Sequence, residues 1–141
     1  MIEVVLDTNV IVSGMRSREG ASFQLLQAIA EEPPMFRPCL SVPLVLEYES
    51  VLRDVEWLDE GDISAVLDYL CSLGNPREIY FLWRPFLRDP TDEMVLEVGV
   101  ETGAAAIVTH NVRDFGGVEE RFAIRVITPG RFLIELRKRE Q

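Results

Sequence analysis

Residues 2–9, with the sequence IEVVLDTN, decide how the rest of the chain is interpreted. Val4, Val5 and Leu6 form an apolar run without a polar face, which is typical of a strand buried on both sides of a sheet. The chain then turns polar at Asp7, so a carboxylate stands at the carboxyl end of the predicted strand. Because ligands of open α/β sheets bind in the crevice outside these strand ends, we expect the functional groups of the chain to gather around Asp7.

The rest of the chain alternates between strand and helix patterns, which predicts an α/β domain with a mostly parallel sheet. Further strands are predicted at residues 35–40, 79–83, 105–109 and 122–127. Helices are predicted to begin at Ser22, at Ser41, at Asp59 or Asp62, at the turn of residues 88–92 and at Pro129. Gly74 and Gly103 are expected to end the third and fourth of these helices. No repeat or linker divides the sequence, which predicts a single domain over residues 1–141.

Composition limits the kind of protein that this chain can be. Its 141 residues are 48% hydrophobic, which fits one compact core. The apolar runs are far shorter than the roughly 20 residues that span a bilayer, and the N-terminus lacks a basic segment followed by an apolar one, so we expect a cytoplasmic protein. Cys39 and Cys71 lie in apolar surroundings without metal-type spacing, which predicts buried reduced thiols rather than a disulfide or a zinc site.

The charge balance is acidic, with 24 acids against 14 bases and a net charge of -10. Such a chain repels nucleic acid unless cations intervene or its bases are clustered. Thirteen of the 14 bases are arginine, and the only lysine is Lys138, near the end of the chain. This argues against a haloacid-dehalogenase-like phosphatase or a receiver domain, since both usually need a basic residue, typically lysine, late in the sheet.

Several oxygen-bearing side chains are predicted to join Asp7 at one edge of the sheet. Asp89 and Asp92 lie where a helix begins, and Asn111 and Asp114 follow another buried strand. Carboxylates that are brought close together need either a proton or a metal, and hard cations such as Mg²⁺ and Mn²⁺ take oxygen ligands. The sequence therefore predicts a divalent metal site.

A simpler role is open to each of these acids. Asp7 could cap the turn after its strand, Asp89 could be an ordinary turn residue, and Asp92 could satisfy the dipole of its helix. Asp92 shares a helix face with Val95 and Gly99, however, which favours an orientation toward the edge of the sheet. Asp89 has no such argument in its favour.

Two glutamates flank the apolar face of the helix that follows Ser41. Glu47 and Glu49 each lie about 100° from the centre of that face, and helical geometry does not choose between them. A solvated helix edge is the simpler interpretation of both.

His110 is the only histidine, so a Ser-His-Asp or Cys-His mechanism would depend wholly on it. Its position in a strand-end turn is compatible with substrate contact, but a lone histidine in a loop is more often simply exposed.

Four segments together resemble the PIN-domain ribonucleases, particularly the VapC-type toxins of bacterial and archaeal toxin–antitoxin pairs. They are VVLDTNV at residues 4–10, LEY at 46–48, DPTD at 89–92 and IVTHNVRDF at 107–115. The resemblance covers essentially the whole chain. It implies a three-layer α/β/α PIN-like domain with a mostly parallel central sheet.

The resemblance also implies roles for the first acids. Asp7 is similar to the family's first metal-binding aspartate, and Thr8 and Asn9 are similar to the residues that support it. Glu47 is similar to the family's glutamate because Tyr48 follows it.

Asp92 resembles the third acid of the family, with Asp89 as a less favoured substitute. Many relatives have an aspartate where Asn111 stands, so the remaining charge is expected to come from Asp114. The predicted metal site is therefore Asp7, Glu47, Asp92, Asn111 and Asp114, and the four acids among them are the predicted catalytic residues.

This resemblance implies an endoribonuclease that depends on Mg²⁺ or Mn²⁺ and leaves a 5′-phosphate and a 3′-hydroxyl. Arg16, Arg18, Arg88 or Arg113 could contact the RNA. It also implies an antitoxin that covers the acidic cleft and a homodimer formed through apolar helix faces. The alternative is a catalytically weak PIN-fold scaffold that binds RNA or protein, which Asn111 leaves open.

Overall fold

A central parallel sheet organises the structure, a computed structural model that describes residues 1–80 and 82–139. Its strands are β1 (Glu3–Leu6), β2 (Arg37–Leu40), β3 (Asn75–Pro76), β4 (Ala106–Val108) and β5 (Arg125–Ile127). They lie in the order β3-β2-β1-β4-β5, and every strand pairing described is parallel. The predicted α/β class is confirmed.

Helices cover both faces of the sheet and make the predicted three-layer α/β/α domain. They are α1 (Thr8–Arg16), α2 (Ala21–Ala28), α3 (Val42–Arg53), α4 (Glu60–Leu73), α5 (Pro90–Thr102), α6 (Val118–Phe122) and α7 (Pro129–Arg139), with a short 3-10 helix at Val112–Phe115. Within the described ranges, none of these helices has the length and apolar character needed to cross a membrane.

The middle of the sheet is where the direction of chain winding reverses. From β1 the order runs through β2 to β3 on one side and through β4 to β5 on the other. The boundary between β1 and β4 is therefore the switch point of the sheet, and a crevice is expected at its carboxyl edge. Val4, Val5, Leu6, Ile107 and Val108 are fully buried, which explains why both strands read as apolar runs.

Helix starts follow the local sequence signals closely. The Ser41 hydroxyl accepts a 3.1 Å hydrogen bond from the backbone N–H of Leu44, and Asp59 forms a reciprocal capping box with Asp62. The prediction for Ser22 is wrong. Gly20 occupies the N-cap position of α2, and Ser22 lies buried in its first turn.

The third strand is not at residues 79–83 but at Asn75–Pro76, which pairs with Cys39 and Leu40 of β2. This strand lies at the edge of the sheet, where a proline is tolerated because no further strand needs its N–H. Among the described residues of the predicted segment none pairs with a neighbouring strand, and Tyr80 and Leu82 are exposed. Residue 81 lies outside the described residues.

Three smaller predictions also change. The last strand begins at Arg125 rather than at residue 122, because Phe122 ends α6 and Ala123 adopts a left-handed conformation with φ 58°. Residues 8–16, for which no element was predicted, form α1. Both cysteines are free, but only Cys39 is buried; Cys71 is exposed on α4.

Candidate functional site

Asp7 stands between the end of β1 and the start of α1, and each of its carboxylate oxygens has a partner. Oδ1 accepts a 2.8 Å hydrogen bond from the backbone N–H of Thr8, which caps the helix. Oδ2 accepts a 2.7 Å hydrogen bond from the hydroxyl of Thr109 at the end of β4. Asp7 is thus the helix cap that its local sequence allowed and also part of a tertiary site.

Thr109 connects the polar groups that follow the two central strands. Its hydroxyl oxygen accepts hydrogen bonds from Nδ2 of Asn9 at 3.3 Å and from the backbone N–H of Asn111 at 3.0 Å. Asn9 in turn accepts a 3.2 Å hydrogen bond from the backbone N–H of His110. The sequence had indicated no role for Thr109. The available signal was its position one residue beyond a buried strand, as Asp7 is one residue beyond β1; the residues before them, Leu6 and Val108, are partners in the sheet.

The third component of the site comes from α3. The hydroxyl of Tyr48, which is almost completely buried, donates a hydrogen bond to the backbone carbonyl of Leu6 at the end of β1. This contact fixes the turn of α3 that carries Glu47, whose side chain lines the same cavity as Asp7. Glu49 instead forms a 3.5 Å salt bridge with Arg53 on its own helix.

The start of α5 contributes two aspartates with different environments. Asp89 is the N-cap, and its Oδ1 accepts hydrogen bonds from the backbone N–H of Thr91 at 2.9 Å and from its hydroxyl at 2.8 Å. Asp92 lies one turn further along and is buried. Both side chains line the cavity. Asp89 therefore acts as a turn residue and helix cap, the local role that its sequence allowed. Asp92 is oriented toward the edge of the sheet, as its position on the helix predicts.

These elements enclose an open cavity of about 570 Å³ at the switch point of the sheet. Every residue of the predicted metal site lines this cavity: Asp7, Glu47, Asp92, Asn111 and Asp114. Asp89, Arg16 and His110 line it as well. We call it the acidic cavity. His110 also shares a 3.1 Å hydrogen bond with Ser22, which anchors its ring to α2. Whether each acid acts as a ligand stays a prediction.

Burial and neighbouring negative charge make ionisation of three acids of the cavity less favourable. Burial, followed by the charges of Asp7, Asp89 and Asp114, raises the pKa of Asp92 to about 7. Burial also raises the pKa of Asp7, against the lowering effect of its hydrogen bonds. Burial and the charges of Asp89 and Asp7 raise the pKa of Glu47. A cation in the acidic cavity would therefore relieve repulsion among its walls.

The donors fit a hard divalent cation by their chemistry but not by their spacing. Carboxylate and amide oxygens are the groups that Mg²⁺ and Mn²⁺ take, and part of the rise in the pKa values of Asp7, Glu47 and Asp92, after that caused by burial, comes from neighbouring negative charge that a cation would compensate. Across residues 1–80 and 82–139, however, no three histidine, cysteine, aspartate or glutamate side chains stand close enough to hold a metal ion. The cavity thus has the composition of a metal site without the closed arrangement of one.

The fold and site define an α/β/α domain with an acidic cavity at the switch point of its sheet. Residues 3–113 match the family described as PIN domain, and the chain therefore belongs to the PIN domain family. The resemblance predicted from the four sequence segments is confirmed at this level. A comparison with curated proteins found no match.

Solved structures show the same fold at low sequence identity. VapBC2 from Rickettsia felis, bound to a DNA fragment from its promoter, matches with a TM-score of 0.60 and 14% identity, over 91% of this chain and 98% of that chain. VapBC-1 from nontypeable Haemophilus influenzae matches with a TM-score of 0.61 and 17% identity, over 92% of this chain and 99% of that chain.

Proposed function

We propose that this chain is an endoribonuclease that depends on Mg²⁺ or Mn²⁺ and hydrolyses phosphodiester bonds in RNA. The acidic cavity carries the proposal, because carboxylates from the end of β1, from α3, from the start of α5 and from the segment after β4 line one space at the switch point, and two of them, Asp7 and Asp92, are buried. Membership of the PIN domain family, whose members are generally nucleases that use divalent metals, supports it.

Asp7, Glu47, Asp92 and Asp114, with the amide oxygen of Asn111, would hold the cation. A bound Mg²⁺ or Mn²⁺ supplies neutralisation of phosphate charge and a lower pKa for its bound water. The chain's own part is to present ionised oxygens in a fixed orientation.

Two hydrogen bonds prepare Asp7 for this role. Those from Thr8 and Thr109 lower the pKa of the Asp7 carboxyl against the effect of burial, which favours the ionised form. Arg16, on the rim of the same cavity, is positioned to contact the phosphate backbone.

The test is RNA cleavage by the purified protein with Mg²⁺ or Mn²⁺, compared with chelator and with the Asp7→Asn variant. We expect internal cleavage with 5′-phosphate and 3′-hydroxyl ends, and no cleavage with chelator or with Asp7→Asn. Undiminished cleavage by a clean Asp7→Asn preparation would overturn the proposed site.

A matched pair on α3 tests the contribution of that helix. Glu47→Gln removes a carboxylate that lines the acidic cavity, whereas Glu49→Gln removes one that pairs with Arg53 on the same helix. We expect Glu47→Gln to reduce cleavage strongly and Glu49→Gln to leave it near the wild-type rate. Equal effects of the two substitutions would contradict the role of Glu47.

A second candidate function is an RNA- or protein-binding scaffold with weak catalysis. The spacing of the acids favours it, because in the described part of the chain no three of them form a closed metal site. Asn111, which carries no charge, points the same way. If the scaffold is correct, the wild type binds RNA without cleaving it. Asn111→Asp would then be the variant expected to gain metal affinity.

We further propose that the protein is the toxin of a toxin–antitoxin pair and forms a homodimer. The similarity in fold to chains of two VapBC structures supports this assignment. Expression in a bacterial host should arrest growth, and Asp7→Asn should relieve the arrest. Co-expression of a small reading frame adjacent to the gene should also relieve it and yield a complex. Light scattering of the purified protein would test the dimer.

A further inference from the structure

A second cavity, of about 500 Å³, opens beside the acidic cavity and shares three carboxylates with it. The shared wall consists of Asp89, Asp92 and Asp114. The remaining wall is of a different kind, because it contains an aromatic ring and two arginines. We call this space the aromatic cavity.

The aromatic ring is that of Phe86, whose residue is 38% exposed. Its ring meets the ring of Phe122 edge to face, with centroids 5.2 Å apart and an interplanar angle of 72°. Phe122 contacts Trp83 in the same way at 5.2 Å, and Gly117 approaches Phe86 closely enough that an added Cβ would lie 3.5 Å from the ring. The ring is therefore supported from behind while part of its surface remains open.

Two buried glutamates of α5 fix the segment that carries Phe86. Oε1 of Glu93 accepts hydrogen bonds from the backbone N–H groups of Phe86 at 2.9 Å and Leu87 at 3.0 Å. One turn along, Glu97 holds Arg84 through two hydrogen bonds of 3.0 Å. Because α5 also carries Asp92, the ring and the acidic cavity are held by the same helix. Because this part of the protein is already ordered, binding of a ligand that spans both cavities would cost little conformational entropy of the protein.

The two arginines of the aromatic cavity are exposed and available to anions. Among residues 1–80 and 82–139, no carboxylate lies within 4.0 Å of the guanidinium nitrogens of Arg88 or Arg113. Guanidinium groups bind phosphate through paired hydrogen bonds. Proteins that bind single-stranded nucleic acid commonly place cationic side chains beside an aromatic ring. A base stacks on the ring, and the cations contact the phosphate backbone.

We propose that the aromatic cavity binds a nucleotide next to the scissile phosphate of single-stranded RNA. Its base stacks on Phe86, and Arg88 and Arg113 contact the backbone phosphates. This inference rests on the function proposed for the acidic cavity. It restricts the substrate to unpaired RNA, because a base held in a duplex stack cannot reach the ring.

The test compares the binding of two labelled probes by fluorescence anisotropy. One is a short single-stranded RNA pool of random sequence, and the other is a ribose-phosphate oligomer of equal length that lacks bases. All variants are made in the Asp7→Asn protein so that the RNA is not consumed, and binding is measured with Mg²⁺. We expect this parent to prefer the RNA by about five- to a hundredfold, the range of one base–aromatic stack.

Phe86→Ala should abolish the preference for RNA over the baseless oligomer, and Phe86→Trp should retain it. Phe86→Leu, which keeps an apolar contact with Phe122, should also abolish it and replaces the alanine variant if that one fails to fold. Trp57→Ala is the matched control, because Trp57 is an exposed aromatic residue that lines neither cavity. It should leave the preference unchanged.

Each outcome separates this inference from the proposed function. Suppose that the wild type cleaves RNA. If the Asp7→Asn parent then binds both probes equally, or if its preference for RNA survives Phe86→Leu, the role of the aromatic cavity is overturned and the proposed nuclease function stands. A preference that depends on Phe86 without any cleavage by the wild type overturns the nuclease and keeps the nucleotide site. If Phe86→Ala and Trp57→Ala weaken the preference equally, the proposal also fails.

Discussion

The hydroxyl of Thr109 and the carboxylate of Asp7 are joined by a 2.7 Å hydrogen bond across 102 positions of the sequence. This bond links the carboxyl ends of β1 and β4 at the switch point of the sheet. It also lowers the pKa of a buried carboxyl that its surroundings otherwise raise. The acid most central to the site is therefore kept ionisable by a residue that carries no charge itself.

Thr109→Val should weaken both folding and metal binding, because it leaves the buried Asp7 with one hydrogen bond fewer. We expect a loss of about 1–3 kcal/mol in the free energy of unfolding, measured in urea. Titration calorimetry with Mn²⁺ should show about 10- to 100-fold weaker binding, the usual effect of losing a residue that orients a ligand.

Thr102→Val is the control for this substitution. The Thr102 hydroxyl donates to the backbone carbonyl of Val98 within α5 and does not contact the acidic cavity. It should leave Mn²⁺ affinity unchanged. Equal Mn²⁺ affinities for the two valine variants would contradict the role of Thr109.

The stability of the metal-free protein should fall as pH rises through neutrality. Asp92 has an ordinary pKa of 3.8 when unfolded and a pKa of about 7 in the folded protein, because of burial and the charges of Asp7, Asp89, Asp114 and Glu93. Between these values the folded state keeps a proton that the unfolded chain has released. The stabilising contribution is therefore complete below about pH 4 and is lost as pH rises through about 7.

Thermal unfolding in chelator across this pH range measures the effect. Asp92→Asn should remove much of the fall in melting temperature with rising pH. Part of that fall should remain, because Asp7 and Glu47 also have raised pKa values. Mn²⁺ should raise the melting temperature most at the alkaline end, since it binds the ionised acids. If the melting temperature of Asp92→Asn falls with pH as steeply as that of the wild type, the Asp92 carboxyl is not the cause of the pH dependence.

Two bidentate arginine–glutamate pairs should differ in energy because they differ in burial. Arg84 contacts Glu97 through bonds of 3.0 Å, and Arg125 contacts Glu135 through bonds of 2.9 Å. The Glu97 side chain is 4% exposed, whereas that of Glu135 is 41% exposed. We expect Arg84→Met to cost about 2–3 kcal/mol by leaving a buried unpaired carboxylate, and Arg125→Met to cost less than about 1 kcal/mol.

Urea denaturation of the two methionine variants compares these costs directly. Limited proteolysis should in addition cut the Arg84→Met variant faster near residues 82–88, because Glu97 no longer holds that segment. Similar unfolding free energies for the two variants would show that burial of the glutamate does not decide the outcome.

Gly74→Ala should destabilise the fold even though Gly74 is not in a left-handed conformation. A Cβ there would lie 2.7 Å from the backbone oxygen of Leu70 and 2.9 Å from that of Pro38, and backbone atoms cannot move aside easily. We expect a loss of about 1–3 kcal/mol. Gly130→Ala, on α7 with no atom within 4 Å of the added carbon, should stabilise by up to about 1 kcal/mol.

Thermal unfolding of both alanine variants tests this contrast. The sequence had marked Gly74 only as the end of a helix, and α4 does end there. The reason for the glycine is instead a close approach between the end of α4 and β2. Stability changes of the same sign in both variants would contradict this explanation.

Local patterns were sufficient for much of this fold. Buried strands read as apolar runs, as at Val4 and Ile107, because no side chain of such a strand meets water. Helix starts at Ser41 and Asp59 were predictable because capping is a contact between residues three positions apart. The strand expected at residues 79–83 was wrong, since an apolar composition does not say whether a neighbouring strand will accept the segment.

The sequence by itself determined the parallel α/β class, the strand-end position of Asp7 and the set of oxygen-bearing residues from which a site could be built. Only the tertiary structure decided that Glu47 lines the acidic cavity while Glu49 pairs with Arg53, that Thr109 holds Asp7, and that an aromatic cavity adjoins the acids. The physical reason is separation along the chain. Capping and periodicity act between neighbours in sequence, whereas the cavities depend on distant segments that meet only when the sheet closes its core.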